Sequence, residues 1–169
     1  LWSSKAVSNP VVIHSGGIEG VDLSPDGTLV AGASSDFSAK IWRVDNPTAE
    51  VVLEGSAGEV NSIQFRSDAA QIITAGNDGS AKIWDVRSGR LLRTLKTPDQ
   101  LVNAAAWSPD SKLIATCSRS LVLWNAEAGS VVREYQFGLA AFHAGFDPTS
   151  HRIVVALGDG TAHIIDVAG

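Results

Sequence analysis

Residues 72–85 read Ile72-Ile73-Thr74-Ala75-Gly76-Asn77-Asp78-Gly79-Ser80-Ala81-Lys82-Ile83-Trp84-Asp85. Two β-rich runs flank the turn residues Asn77-Asp78-Gly79, a pattern that predicts a hairpin. Related copies end in the apolar pairs Leu1-Trp2, Ile41-Trp42, Ile83-Trp84, Leu123-Trp124 and Ile164-Ile165, at steps of 40, 42, 40 and 41 residues. A constant period of this length indicates a repeat architecture, because one unit cannot bury its own faces and must stack on a neighbour.

Each period predicts four short strands. Polar turns follow the first strands at 24–27, 66–69, 108–111 and 147–150, where Pro, Asp, Ser and Gly favour tight backbone. Second strands are predicted at Leu29–Ala33, Gln71–Ala75, Leu113–Cys117 and Ile153–Leu157. More polar fourth strands are predicted at Glu50–Leu53, Arg90–Leu95 and Ser130–Tyr135, with an N-terminal equivalent at Val11–His14. No helical pattern exceeds a turn, so the fold is expected to be an all-β radial array.

These repeats resemble the WD40 family of β-propellers over nearly the whole chain. The strongest motif is Ile83-Trp84-Asp85, placed after Asp78 and the run Gly79-Ser-Ala-Lys82. The resemblance implies an all-β, WD40-type propeller with about four four-stranded blades per chain. The four repeats are expected at about 11–45, 50–87, 90–127 and 130–169, in one domain that covers 1–169.

The copies depart from the family pattern, in which His, Asp, Ser or Thr, and Trp form one hydrogen-bond network per blade. The first unit has His14, Asp36 and Trp42 but Gly32 at the Ser/Thr position. The second unit also has three matching residues, Thr74, Asp78 and Trp84, with Ser56 at the His position. The third keeps Thr116 and Trp124, and the fourth keeps Asp159 alone. We therefore expect the blades to rely more on apolar packing than on this network.

Composition favours a folded domain. The 169 residues are 44% hydrophobic and 18% charged, and the net charge is −5. No Lys/Arg cluster exceeds two residues, so we expect neither nucleic acid nor an anionic membrane as a partner. The single cysteine, Cys117, excludes an internal disulfide framework and agrees with a cytoplasmic location. Neither a membrane-span pattern nor a signal-peptide layout is found.

The two ends of the sequence predict a piece of a longer chain. The first residue is not Met, and the last unit stops after its third strand. Four blades are few for a closed ring of this family, in which seven or eight are usual. A homodimer that closes an eight-bladed ring is therefore one expectation, and a place within a larger propeller is the other.

The sequence offers little that points to catalysis. The histidines are scattered, with no Cys, Asp or Glu at zinc-ligand spacing: His14, His143, His151 and His163. Cys117 is expected to be buried, and Asp26, Asp68 and Asp110 are expected to bond the backbone of their own turns. No phosphate-binding loop or nucleophile elbow is present. We expect no enzyme activity, no catalytic or metal site and no cofactor.

The resemblance implies a non-enzymatic scaffold for protein–protein interaction. In WD40 proteins the partners, which are proteins or peptides, contact the residues just before the conserved Asp and those near the start of the first strand. Carried over to this chain, the partner-binding residues are Glu19, Ser35, Glu59, Asn61, Asn77, Asn103, Arg119 and Gly158. Arg119 adds the only cation to this set and occupies the shortened turn of the third unit.

Two other functions remain open at this point. One is that the repeats form the sensor or regulatory segment of a larger enzyme, such as a kinase, a protease or a STAND-type NTPase, and the flanking sequence would decide this. Trp84-Asp85-Val86-Arg87 also resembles the ending found in substrate receptors of a cullin ubiquitin ligase. Asp85 and Arg87 of that motif are equally able to form a surface ion pair.

Overall fold

A computed structural model describes residues 17–48 and 50–167, and these residues form fifteen β-strands and no helix. The first sheet contains β1 (Ile18–Leu23), β2 (Leu29–Ser34), β3 (Ala39–Arg43) and β4 (Glu50–Leu53). The second contains β5 (Val60–Phe65), β6 (Gln71–Gly76), β7 (Ser80–Asp85) and β8 (Leu91–Lys96). The third contains β9 (Ala104–Trp107), β10 (Leu113–Cys117), β11 (Ser120–Asn125) and β12 (Val131–Gln136). The fourth contains β13 (Ala141–Phe146), β14 (Arg152–Leu157) and β15 (Ala162–Asp166).

Each sheet is an antiparallel meander whose strands lie in chain order, and we call the sheets blades 1 to 4. The all-β propeller predicted from the sequence is confirmed. Blade 4 has three strands within the described residues, in agreement with the strand count made from the sequence. The predicted strand Val11–His14, the Leu1-Trp2 remnant and His14 lie outside the described residues.

The turn after each first strand is held by its own side chains. The carboxylate of Asp26 accepts hydrogen bonds from the Ser24 hydroxyl (2.6 Å) and from the Thr28 backbone N–H (3.1 Å). Asp68 and Asp110 bond the backbone two residues further on in the same way. The hydrogen bond from Ser24 is the main reason why the pKa of Asp26 lies below its ordinary value. The expected structural role of these three aspartates is confirmed.

Three hydrophobic clusters hold the blades together, one at each contact between neighbouring blades. Ile41 and Leu53 of blade 1 pack with Ile63, Phe65 and Trp84 of blade 2 in the first cluster. The second and third clusters repeat this arrangement between blades 2 and 3 and between blades 3 and 4. The first strands of consecutive blades pack closely on one another, whereas β1 and β13 make no contact of comparable extent in the described part of the chain. The four blades therefore form a stack with two outer faces.

Side chains of the first strands also connect neighbouring blades. The carboxylate of Asp22 accepts a hydrogen bond from the Phe65 backbone N–H at 2.7 Å. One blade further on, the Gln64 side-chain oxygen accepts from the Trp107 backbone N–H, also at 2.7 Å. Asp22 and Gln64 are equivalent residues of their blades. Each accepts a hydrogen bond from a backbone N–H in the first strand of the next blade.

The family network survives only in part. The Trp84 indole N–H donates to the Thr74 hydroxyl at 2.9 Å, and Trp124 donates to Thr116 at the same distance. In blade 1, a Cβ added at Gly32 would lie 3.2 Å from the Trp42 ring, so this indole leaves little room for a threonine. An apolar cluster lies at every blade contact, including that of blade 1 with blade 2.

Candidate partner-binding face

One end of the blade stack carries the turns between second and third strands and the segments that lead into the first strands. We call this end the narrow face. Its turns are fixed by one repeated hydrogen bond of 2.9 Å: Ser35 N–H to Gly17 C=O, Asn77 N–H to Glu59 C=O, and Gly158 N–H to Ala140 C=O. The three positions predicted before the conserved Asp are thus equivalent, and each lies against the start of its own first strand.

In blade 2, the structure brings three of the predicted residues together. The Asn77 side-chain amide donates to the Glu59 carboxylate at 2.7 Å, and the Asn61 amide donates to the Asn77 side-chain oxygen at 2.8 Å. Glu59 and Asn77 are exposed, and Asn61 is half-buried. This row of polar groups is held in one arrangement on the surface.

Asn61 and Asn103 also have a structural role that their sequence positions did not reveal. The Asn61 amide donates to the Val102 carbonyl (2.9 Å), and the Asn103 amide donates to the Ala141 carbonyl (2.9 Å). Each asparagine therefore connects its blade to the next. Glu19 occupies the equivalent position in blade 1, where it is exposed and its carboxylate has no N–H to donate.

A nearly buried ion pair between Lys82 and Asp78 holds the turn that contains Asn77. The Lys82 ammonium contacts the carboxylate of Asp78 and the hydroxyl of Ser80. Burial opposes ionisation of Asp78, but the hydrogen bonds from Lys82, Ser80 and the Ala57 backbone outweigh it, and the pKa of Asp78 is lowered. The Ala57 N–H donates to the Asp78 carboxylate at 3.2 Å, directly after Ser56 at the predicted His position.

Blade 3 has the shortest of the narrow-face turns. Thr116 and Trp124 are eight residues apart, whereas Thr74 and Trp84 are ten apart, so the turn keeps Arg119 alone at its tip. A cavity of about 490 Å³ lies beside this turn, lined by the loop 98–101, Asn103 and Arg119. The Arg119 backbone N–H donates to the Asp99 carboxylate at 3.1 Å, and the Arg119 side chain is exposed.

Phe37 is a narrow-face residue that the sequence analysis missed. It occupies the turn position that holds Gly79 in blade 2 and Gly160 in blade 4, and its φ of 72° matches their 74° and 83°. A bulky residue with positive φ is a backbone outlier, and its side chain is 53% exposed. The sequence already contained this signal, because Asp36-Phe37 stands where the copies in blades 2 and 4 read Asp-Gly.

The opposite end of the stack carries the Trp-Asp-Val-Arg motif. Asp85 accepts hydrogen bonds from the Ser88 backbone (2.8 Å) and hydroxyl (2.6 Å), and these bonds lower its pKa. The carboxylate therefore caps its own turn rather than making its close contacts with Arg87. Asp85 and Arg87 border a groove of about 800 Å³ between blades 1 and 2, whose apolar wall includes Trp42 and Val51.

The titratable groups suited to other chemistry are dispersed. Among residues 17–48 and 50–167, no three His, Cys, Asp or Glu side chains are placed to hold a metal ion together. His143, His151 and His163 are exposed, and burial raises the pKa of the Cys117 thiol to about 12. No helix that is long and apolar enough to cross a bilayer occurs in the described ranges.

Comparison with known proteins agrees with the fold. The profile of the family "WD domain, G-beta repeat" matches residues 10–43, 48–85 and 89–125. Transducin beta-like protein 3 of Bos taurus is 37% identical over 91 residues, which are 48% of this chain and 11% of the relative. The human protein of that name is 35% identical over the same length and coverage. A probable cytosolic iron-sulfur protein assembly protein 1 of Vanderwaltozyma polyspora is 24% identical over 123 residues, 73% of this chain and 28% of the relative.

The matched segments are therefore a small part of each of these relatives. The three family matches nevertheless cover more than half of this chain. Each match ends one residue after a repeating Trp, and the second and third matches each span the outer strand of one blade and the first three strands of the next. The chain belongs to the WD40 repeat family.

Proposed function

We propose that this chain is a non-enzymatic scaffold that binds other proteins or peptides through its narrow face. The observation that carries the proposal is the repeated 2.9 Å hydrogen bond that fixes the turns of Ser35, Asn77 and Gly158 against the first strands. Side chains on a backbone already held in this way lose little conformational entropy when a partner binds.

The narrow face also carries the groups that usually dominate protein recognition. Phe37 presents an exposed aromatic ring at one turn, and Arg119 presents a cation beside a cavity at another. Aromatic residues and arginine are enriched among the residues that contribute most to binding. The strained backbone of Phe37 supports the same conclusion, because glycine fills that position in two other blades without strain.

A pair of charge reversals tests which end of the stack binds partners. Arg119→Glu changes the narrow face, and Arg87→Glu is the matched control at the opposite end, since both arginines are exposed in turns. The proteins captured by each variant from a cytoplasmic extract are quantified by mass spectrometry against the unmodified chain.

We expect Arg119→Glu to lose partners that Arg87→Glu retains. Phe37→Gly should lose the same partners, although glycine suits the backbone of that turn. A partner set that survives both narrow-face substitutions and is lost with Arg87→Glu would place recognition at the opposite end and contradict the proposal.

A second candidate function is regulatory: the propeller as the sensor segment of a larger protein, such as a kinase, a protease or a STAND-type NTPase. The segments that match this chain make up 11% and 28% of two of its relatives, so in those proteins the matched repeats are one part of a longer chain. The coding sequence on both sides of this segment tests it: a catalytic domain supports the sensor function, and further repeats support the scaffold.

The proposal includes self-association. Two copies of the chain would supply eight blades, and each copy leaves the outer faces of blades 1 and 4 exposed. Self-association and partner binding use different surfaces, so each is open to separate tests.

A further inference from the structure

The outer face of blade 1 exposes apolar side chains that are buried in the other blades. Val21 is 67% exposed and Leu23 is 55% exposed. Their equivalents in blade 2, Ile63 and Phe65, are buried against blade 1. The equivalents in blade 3, Ala105 and Trp107, are buried in the same way. The outer face of blade 1 thus has the composition of a surface that another blade covers.

The outer face of blade 4 also exposes apolar side chains whose equivalents in blade 2 are buried. Val154 and Ile164 are paired neighbours in β14 and β15, as Ile73 and Ile83 are in β6 and β7. Ile73 and Ile83 are buried in the cluster between blades 2 and 3. Val154 is 46% exposed and Ile164 is 71% exposed. Within residues 17–48 and 50–167, this face of blade 4 is therefore not covered as the equivalent face of blade 2 is.

The three internal contacts show what each outer face fits. At every contact, a face of the Ile73 and Ile83 type packs on a face of the Ile63 and Phe65 type. Blade 4 exposes the first type and blade 1 exposes the second, so neither face matches itself. Building on the self-association proposed above, we infer that blade 4 of one copy packs head to tail on blade 1 of a second copy. Two such contacts close a ring of two chains.

The chemistry of this contact differs from that of the internal ones. Asn61 and Asn103 each donate a side-chain hydrogen bond to the next blade, and the equivalent residue of blade 4 is the exposed Phe142. At the position of Gln64, which accepts a hydrogen bond from the next blade, blade 3 has Ala106 and blade 4 has Gly145. The contact between chains is therefore apolar at both positions, and its strength should vary little with salt concentration.

The test is the mass of the chain in solution, measured by sedimentation velocity over a range of protein concentrations. We expect the unmodified chain to reach twice its 17.7 kDa at high concentration. Val21→Lys and Ile164→Asp should each remain at 17.7 kDa, because each places a charge in both contacts of the ring. Val132→Asp is the control, since Val132 is exposed on the outer strand of blade 3 and lies outside both faces.

Mixing the two variants distinguishes head-to-tail pairing from other modes. A mixed ring contains one Val21→Lys chain and one Ile164→Asp chain. In one of its two contacts both faces are unmodified, and in the other the new lysine of blade 1 and the new aspartate of blade 4 lie together. The mixture should therefore regain the doubled mass that neither variant shows alone, which a misfolded variant would not do. If like faces paired instead, one of the two variants would keep the doubled mass by itself.

Three results would overturn the inference: a 17.7 kDa monomer at every concentration, doubled mass in either single variant, or no recovery on mixing. Arg119→Glu should keep the doubled mass, because the narrow face is not part of the contact. Partner capture that depends on Arg119 in a strictly monomeric chain would thus refute the ring and leave the scaffold function intact. A dimer whose captured partners do not depend on Arg119 would support the ring and contradict partner binding at the narrow face.

Discussion

Replacing Trp84 by alanine should destabilise this protein more than most single substitutions. Its side chain is fully buried in the cluster between blades 1 and 2, and its indole N–H donates to Thr74 at 2.9 Å. Removing a buried Trp side chain typically costs about 3–5 kcal/mol. Leaving the Thr74 hydroxyl without its partner adds about 1 kcal/mol. The total is comparable with a whole domain stability of about 5–15 kcal/mol.

Urea unfolding followed by tryptophan fluorescence and circular dichroism, at one fixed protein concentration, measures this change. With a urea dependence of about 2–3 kcal/mol per molar, the unfolding midpoint should fall by about 2 M. Trp84→Phe retains much of the packing and should fall by well under half as much. Val131→Ala, at an exposed position of β12, should stay within about 0.5 kcal/mol of the unmodified chain. A midpoint unchanged in Trp84→Ala would show that this side chain is not packed between the blades.

Three further predictions concern other sites. Because burial raises the pKa of the Cys117 thiol to about 12, iodoacetamide should modify it only after unfolding, and rapid labelling of the native protein at neutral pH would contradict this. Gly79→Ala should lower the melting temperature more than Gly160→Ala: both positions have positive φ, but only at Gly79 would the new Cβ meet a backbone oxygen, that of Asp99 at 2.5 Å. Equal shifts would argue against that contact. The lowered pKa of Asp78 stabilises the fold above its ordinary pKa of 3.8, so the loss of unfolding free energy in Asp78→Asn should be largest at neutral pH and shrink as the pH falls below 3.8; a loss independent of pH would refute the assignment.

Several features of the narrow face depended on contacts between blades and could not be predicted from the sequence. Asn61 and Asn103 look like ordinary surface residues in the chain, yet each donates a hydrogen bond to the following blade. The cavity beside Arg119 lies between the shortened turn of blade 3 and the loop 98–101, which connects blade 2 to blade 3. Phe37 differs from these, because comparing the repeats at that one turn position was enough to reveal a Phe in place of Gly.

The sequence by itself determined the strands, the turns and their order. Strand alternation, turn residues and the repeating Trp are local or periodic properties, and each blade is built from consecutive strands, so local information was sufficient. Only the tertiary structure decided which faces are covered. Val21 and Ile63 occupy the same position in their repeats, and one is exposed while the other is buried. Burial depends on whether a neighbouring blade packs on that face, and the sequence of a single repeat does not show this.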